Sequence, residues 1–123
     1  MTKNIVLNKD SNVLDILLHG SSGGMNYSLM QKIFDVCVRQ GHSVVNFNFP
    51  YFERGEEQSS GPELKEELET LQSVLDECKT EGYKHIRLIG KSLGAIIASY
   101  YLRSQCQVPL SLHNVSKRWD LKT

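Results

Sequence analysis

Ser92 stands at the centre of Gly90-Lys91-Ser92-Leu93-Gly94, a G-x-S-x-G arrangement. The run His85-Ile86-Arg87-Leu88-Ile89 before it reads as a short strand, and Ala95-Ile96-Ile97-Ala98-Ser99-Tyr100-Tyr101-Leu102 after it as a buried helix. A serine on a sharp strand-to-helix turn is pushed out past the strand end, where its hydroxyl can attack an acyl carbon. Gly90 and Gly94 fit that geometry, because larger side chains would collide where strand and helix draw together. The competing reading is a small-residue turn closing a core strand. A phosphate loop is excluded. G-x-x-x-x-G-K-S needs a glycine where this chain has His85, and without it the loop cannot wrap a phosphate in backbone N–H groups.

Acyl transfer at such a serine passes through a tetrahedral oxyanion, which two aimed N–H groups stabilise by several kcal/mol, roughly. One donor is the amide after the serine, here Leu93. The other comes from a loop after an earlier strand, often rich in His and Gly. Val13-Leu14-Asp15-Ile16-Leu17-Leu18 is a strand pattern running into His19-Gly20-Ser21-Ser22-Gly23-Gly24, and the Ser21 N–H is the candidate second donor. His19 and Gly20 then support the loop. A plain flexible strand-to-helix connection is the alternative for 19–24.

A serine hydroxyl is a poor nucleophile until a base takes its proton. His113 ends the last strand expected here, at the same sheet edge as Ser92, and is the candidate base against a reading as a polar strand-end residue. His19 belongs to the oxyanion loop, where a histidine braces backbone. His42 and His85 precede strands, at the opposite edge. Asp120 lies in a polar tail, and the Lys91 side chain should diverge from Ser92 at the turn.

The elements that must position these groups alternate. Residues 5–7 open with a short strand, and 13–18 form the next. A helix over 28–40 carries two apolar stripes, Leu29, Ile33 and Cys37 beside Met30, Phe34 and Val38, and ends at Gly41 in a left-handed cap. A strand over 43–49 is stopped by Pro50, and 51–62 reads as loop. A helix over 62–80 buries Leu64, Leu68, Leu71, Leu75 and Cys78, turns Glu66, Glu67, Glu69, Asp76 and Glu77 to water, and is capped by Gly82. The strand 85–89, the turn at Ser92, a helix to about residue 103 and a strand over 108–113 follow. Strands alternating with helices of this length predict βαβ units and a parallel sheet.

The 123 residues suit one domain, 1–123, and 14 basic against 14 acidic residues favour neither nucleic acid nor an anionic membrane surface. No apolar run reaches membrane-span length, and Met1-Thr2-Lys3-Asn4 does not open a signal peptide. The three cysteines, Cys37, Cys78 and Cys106, are odd in number and widely spaced. Cys37 and Cys78 fall on apolar helix positions, so a reducing cytoplasm is the expected compartment. No His/Cys cluster suggests a metal, and no cofactor is expected.

Leu18-His19-Gly20-Ser21-Ser22-Gly23-Gly24-Met25, Asn46-Phe47-Asn48-Phe49-Pro50-Tyr51 and Gly90-Lys91-Ser92-Leu93-Gly94 carry a resemblance that covers roughly residues 13–113. The chain resembles the α/β-hydrolase superfamily. Within it, it is similar to the small dienelactone-hydrolase-like proteins related to testis-expressed protein 30 and to the hydrolase-like domain of a chromatin-complex subunit. Dienelactone hydrolase proper uses a cysteine nucleophile; this chain has a serine, so that substrate does not carry over. The resemblance implies an α/β fold, a mostly parallel sheet with flanking helices in a three-layer sandwich. It also implies a partial domain, truncated after the sixth family strand, with the triad acid and histidine falling beyond Thr123. The family order would make 43–49 one edge strand, followed by 13–18, 85–89 and 108–113. The last strand would then be left unpaired, an edge through which a homodimer is expected to form.

Two function classes stay open. One is a serine hydrolase, or its nucleophile-bearing part, acting on a small-molecule ester, thioester or related acyl substrate. The other is a non-catalytic binding or scaffold domain on the same fold; a nonfunctional fragment is a third reading.

Overall fold

The computed structural model describes residues 1–56, 59–78, 80–106 and 118–122. Strands β1 (Lys3–Val6), β2 (Val13–Leu18), β3 (Ser43–Phe47), β4 (His85–Gly90) and β5 (Arg118–Lys122) build one sheet in the order β1-β3-β2-β4-β5. β2, β3, β4 and β5 run parallel, and β1 lies antiparallel against β3. The helices are α1 (Ser28–Arg39), α2 (Pro50–Glu53), α3 (Lys65–Glu77) and α4 (Leu93–Cys106).

The layers follow from strand alternation. Leu14, Ile16 and Leu18 of β2 point to one face, with Val45, Phe47, Ile86 and Leu88. Leu71, Val74 and Leu75 of α3 and Ile97, Ala98 and Tyr101 of α4 close over them. Leu17 and Val44 point the other way and meet Met30, Phe34 and Cys37 of α1. The sheet is therefore the middle of three layers, buried on both faces in its centre as parallel sheets are.

The topology creates the crevice. From β2 the chain crosses through α1 to β3 on one side, and from β3 it returns through α3 to β4 on the other. The loops leaving β2 and β4 thus start side by side at the carboxyl edge and part to opposite faces, the switch point where open α/β sheets bind ligands.

Several sequence expectations are corrected. The strand starting at Ser43 is not an edge, because β1 pairs along it with Lys3 opposite Phe47 and Val6 opposite Val44. Residues 51–62 are not all loop: Pro50 does not merely stop a strand but opens α2, where its missing N–H costs nothing. Leu29 is exposed, since α1 packs through Met30, Phe34 and Cys37 alone as its fully buried residues. Glu67 is completely buried rather than solvated. Its carboxylate accepts the Ser60 N–H and the Ser60 hydroxyl, both at 2.7 Å. α3 ends at Glu77 with Cys78 as its cap, and Gly82 closes a separate 3-10 turn, Thr80–Gly82. Gly41 does adopt a left-handed φ of 82° after α1. Its N–H bonds to Val38 O and the His42 N–H to Cys37 O, the paired bonds of a Schellman cap.

The strand expected at 108–113, with His113, lies outside the described residues. The place beside β4 that 108–113 was expected to fill is taken by 118–122: Arg118 pairs with His85 and Lys122 with Ile89, so Asp120, expected in a tail, belongs to β5 in register with Arg87. β5 ends the strand order.

Candidate active site

β4 ends at Gly90 and α4 begins at Leu93, leaving two residues for the turn. Ser92 takes φ 52°, one of two non-glycine residues with positive φ among those described. That conformation costs an L-residue about 1–3 kcal/mol and persists only where the surroundings impose it. Here they do. A Cβ on Gly90 would lie 2.5 Å from the Ala95 nitrogen, and one on Gly94 would overlap the Leu18 carbonyl oxygen. The turn is so tight that only glycine fits on either side of Lys91-Ser92-Leu93, and Ser92 is left exposed at its apex.

The loop after β2 lies against this turn. A Cβ on Gly20 would sit 3.3 Å from the Ser92 Cβ and 3.1 Å from the Lys91 carbonyl oxygen. The Lys91 N–H donates to Leu18 O at 3.0 Å, so the β2–β4 ladder runs right up to the site. Ser21 is exposed in the turn that follows. Among the described residues neither the Ser21 N–H nor the Leu93 N–H has a protein acceptor. For Leu93 this follows from its place in the first turn of α4, where helix amides have no intrahelical partner.

His19 is the brace of the loop. It is fully buried; its Nε2 accepts the Phe49 N–H at 2.9 Å, which leaves the proton on Nδ1 to donate to the Gly20 carbonyl at 2.6 Å. The rings of Phe49, Tyr51 and Phe52 surround it at centroid distances of 5.2, 5.7 and 5.3 Å. Burial lowers the imidazole pKa from 6.5. The hydrogen bond to Gly20 opposes that shift, and the nearby Lys91 ammonium adds to it. With both nitrogens engaged, His19 holds backbone and has no lone pair to offer Ser92.

The end of β3 locks the same loop from the other side, through side chains that sequence reasoning did not assign. Asn48 Oδ1 accepts the Met25 N–H at 2.8 Å, and Asn46 Nδ2 donates to the Met25 carbonyl at 2.9 Å. Tyr51 donates its hydroxyl to the Gly20 carbonyl at 3.2 Å. Burial, with the Glu67 charge beside it, pushes the Tyr51 phenol up to about 12, so it stays protonated as a donor. Gly24, at φ 59°, lets Phe52 and Asn48 approach where a Cβ would strike both. Two asparagines among the apolar residues at the end of β3 were the available signal: buried amides need partners, and the neighbouring loop supplies one to each, leaving Asn46 Oδ1 without one among the described residues.

The other candidates stand apart. His42 Nδ1 bonds Asp15 Oδ2 at 2.7 Å, and His85 opens β4, so both lie toward the amino edge of the sheet. The open depression of about 530 Å³ along α4 is lined by Ser59, Gly61, Pro62, Leu64, Ile96 and Tyr100 and does not include Ser92. Among the described residues no group of three His, Cys, Asp or Glu side chains could hold a metal ion, and no helix is long and apolar enough to cross a membrane. Burial raises the Cys37 thiol to about 12 and the Cys78 thiol to about 11, which leaves both as unreactive core groups.

The fold agrees with the comparisons. The family described as "Alpha/beta hydrolase domain" matches residues 11–113, and the chain belongs to it. Among solved structures, a protein from Agrobacterium vitis S4 assigned as a hydrolase is 18% identical with a TM-score of 0.71. The match covers 95% of this chain and 42% of that one. An esterase from Pyrococcus furiosus is 20% identical at TM-score 0.60, covering 87% and 40%. A carboxylesterase structure from the thaumarchaeon Nitrososphaera gargenis is 17% identical at TM-score 0.65, covering 84% and 36%. Those identities speak for the fold alone, and the chain spans about two fifths of these neighbours' lengths. None of the curated proteins matches the sequence.

Proposed function

We infer that the chain is a serine hydrolase of the alpha/beta type, or the part of one that carries the nucleophile, with Ser92 attacking an ester, thioester or related acyl group. The observation that carries this is the strained, exposed backbone of Ser92 on a turn that Gly90 and Gly94 keep tight. In the reaction the Ser92 oxygen bonds to the acyl carbon and loses its proton to a base. The alcohol or thiol leaves with a proton, and water then releases the acid. The Leu93 and Ser21 amides stabilise the oxyanion, and His19, Gly20, Gly90 and Gly94 keep that loop and turn in place. The base in this proposal is His113, on the sequence reading alone, since it lies outside the described residues. The finer kinship with dienelactone-hydrolase-like proteins, a cytoplasmic location and pairing of two copies through the β5 edge belong to the same proposal.

A second reading has its own support. Among the described residues every histidine is engaged elsewhere or distant: His19 in bracing, His42 with Asp15, His85 at the opposite edge. A non-catalytic binding domain on this fold would have that arrangement.

Hydrolysis of 4-nitrophenyl acyl esters by the protein and by Ser92→Ala separates the two. Turnover that vanishes in the variant supports the enzyme. Turnover equal in both, or absent, supports the binding domain.

A further inference from the structure

Lys91 occupies an unusual position for a charged side chain. Its Nζ lies 3.4 Å from the point where a Gly20 Cβ would stand, and the Ser92 Cβ lies 3.3 Å from that same point. The lysine therefore does not diverge from Ser92, as its neighbouring place in sequence suggested; the ammonium returns to the loop beside the serine. It sits 4.6 Å over the Tyr27 ring, whose quadrupole holds a cation without neutralising it. Among the described residues Lys91 makes no ion pair.

The two chain segments that form the loop and the turn contain no acidic residue. From residue 16 to 34, which includes the loop over the site, the chain has no Asp or Glu, and from 82 to 119, which includes the Ser92 turn and α4, it again has none. Of the described carboxylates in and beside the third loop, three are engaged elsewhere. Glu53 accepts the Thr2 N–H, and Glu56 and Glu66 pair with Arg54. An ammonium with no ion pair among the described residues, part-exposed and held beside Ser92, can receive an anion.

We propose that Lys91, steadied by Tyr27, is a specificity residue that binds a carboxylate on the acyl substrate, so that the site prefers half-esters or half-thioesters of dicarboxylic acids over neutral acyl groups. This rests on Ser92 being the nucleophile for the turnover it predicts, but the anion site itself is a matter of binding. The carboxylate would be placed a few bonds from the carbonyl that Ser92 attacks, because Nζ and the Ser92 Cβ both lie within 3.4 Å of the same point at Gly20.

The test uses two measurements on the full chain. The first is kcat/KM for mono-4-nitrophenyl adipate against 4-nitrophenyl hexanoate, which share the chain and differ in the terminal carboxylate. The ratio is expected to favour the adipate and to fall about tenfold in Lys91→Met, recovering in Lys91→Arg. The second is ligand-observed NMR binding of monomethyl adipate, a probe that needs no turnover. Binding is expected in the protein and in Ser92→Ala, and weakened about tenfold in Lys91→Met and by 0.5 M salt. Binding without Ser92-dependent turnover supports the anion site and contradicts the nucleophile. An unchanged substrate ratio together with binding insensitive to Lys91 overturns the anion site and leaves the nucleophile standing. Absence of any binding of monomethyl adipate also overturns it.

Discussion

Gly94 packs so closely on Leu18 that a single added carbon would overlap the Leu18 carbonyl oxygen. That contact joins the start of α4 to the end of β2, and so sets the distance between the Ser92 turn and the His19–Gly24 loop. Gly90 makes the matching approach within the turn, to the Ala95 backbone. In both cases the obstruction is main chain, which cannot rotate aside. Gly94→Ala and Gly90→Ala are each expected to cost about 3 kcal/mol. Gly82, exposed with nothing within 4 Å of an added carbon, is the control, and Gly82→Ala should change stability by about 0.5 kcal/mol or less. Urea unfolding of the three variants checks the ranking.

Asp15 is the least expected buried group. It is fully buried on β2 facing α1. Its Oδ1 accepts from Arg87 Nε at 2.5 Å, and its Oδ2 from Arg87 Nη2 at 3.2 Å and from His42 Nδ1 at 2.7 Å. Arg87 is part-exposed and can rehydrate if its partner is lost; the carboxylate cannot. Arg87→Met should therefore destabilise by about 3 kcal/mol, more than Asp15→Asn, because only the former strands a buried charge. The reverse order in equilibrium unfolding would contradict the burial argument.

The His19 brace makes stability depend on pH in a definite sense. Its folded pKa is held below 6.5 by burial, so the unfolded chain takes up the proton first. The bracing contribution is fully present above pH 6.5 and is lost as pH falls from there toward the depressed folded value, by at most about 1.4 kcal/mol per pH unit. His19→Gln should lose about 2 kcal/mol at pH 7.5 and show a shallower decline between pH 7 and 5. Parallel urea curves for the two proteins across that range would show that His19 is not the group responsible.

The alternation of strands and helices was legible because apolar spacing in residues 13–18, 28–40 and 85–102 is set by the core, and the core is what the periodicity encodes. The turn at Ser92 was legible for a different reason: glycine on both sides of a serine has a steric cause that is local in sequence. What escaped was long-range. The pairing of β1 onto β3 depends on a four-residue strand with an exposed-to-intermediate pattern that carries little signal. Glu67 looks like a solvated charge until the Ser60 turn is brought to it, and the burial of Asp15 shows only when Arg87, distant in sequence, reaches it. Lys91 looks divergent until Gly20 and Tyr27 fold over it. In each case the partner lies on another element, and spacing along the chain contains no record of it.

The most direct test of the account is covalent labelling of the full chain with a fluorophosphonate probe, read by intact mass and by peptide mapping. One adduct on the peptide containing Ser92, absent from Ser92→Ala, is the expected result. No adduct, or equal labelling of the variant, would contradict the assignment of Ser92 as an acyl-transfer nucleophile.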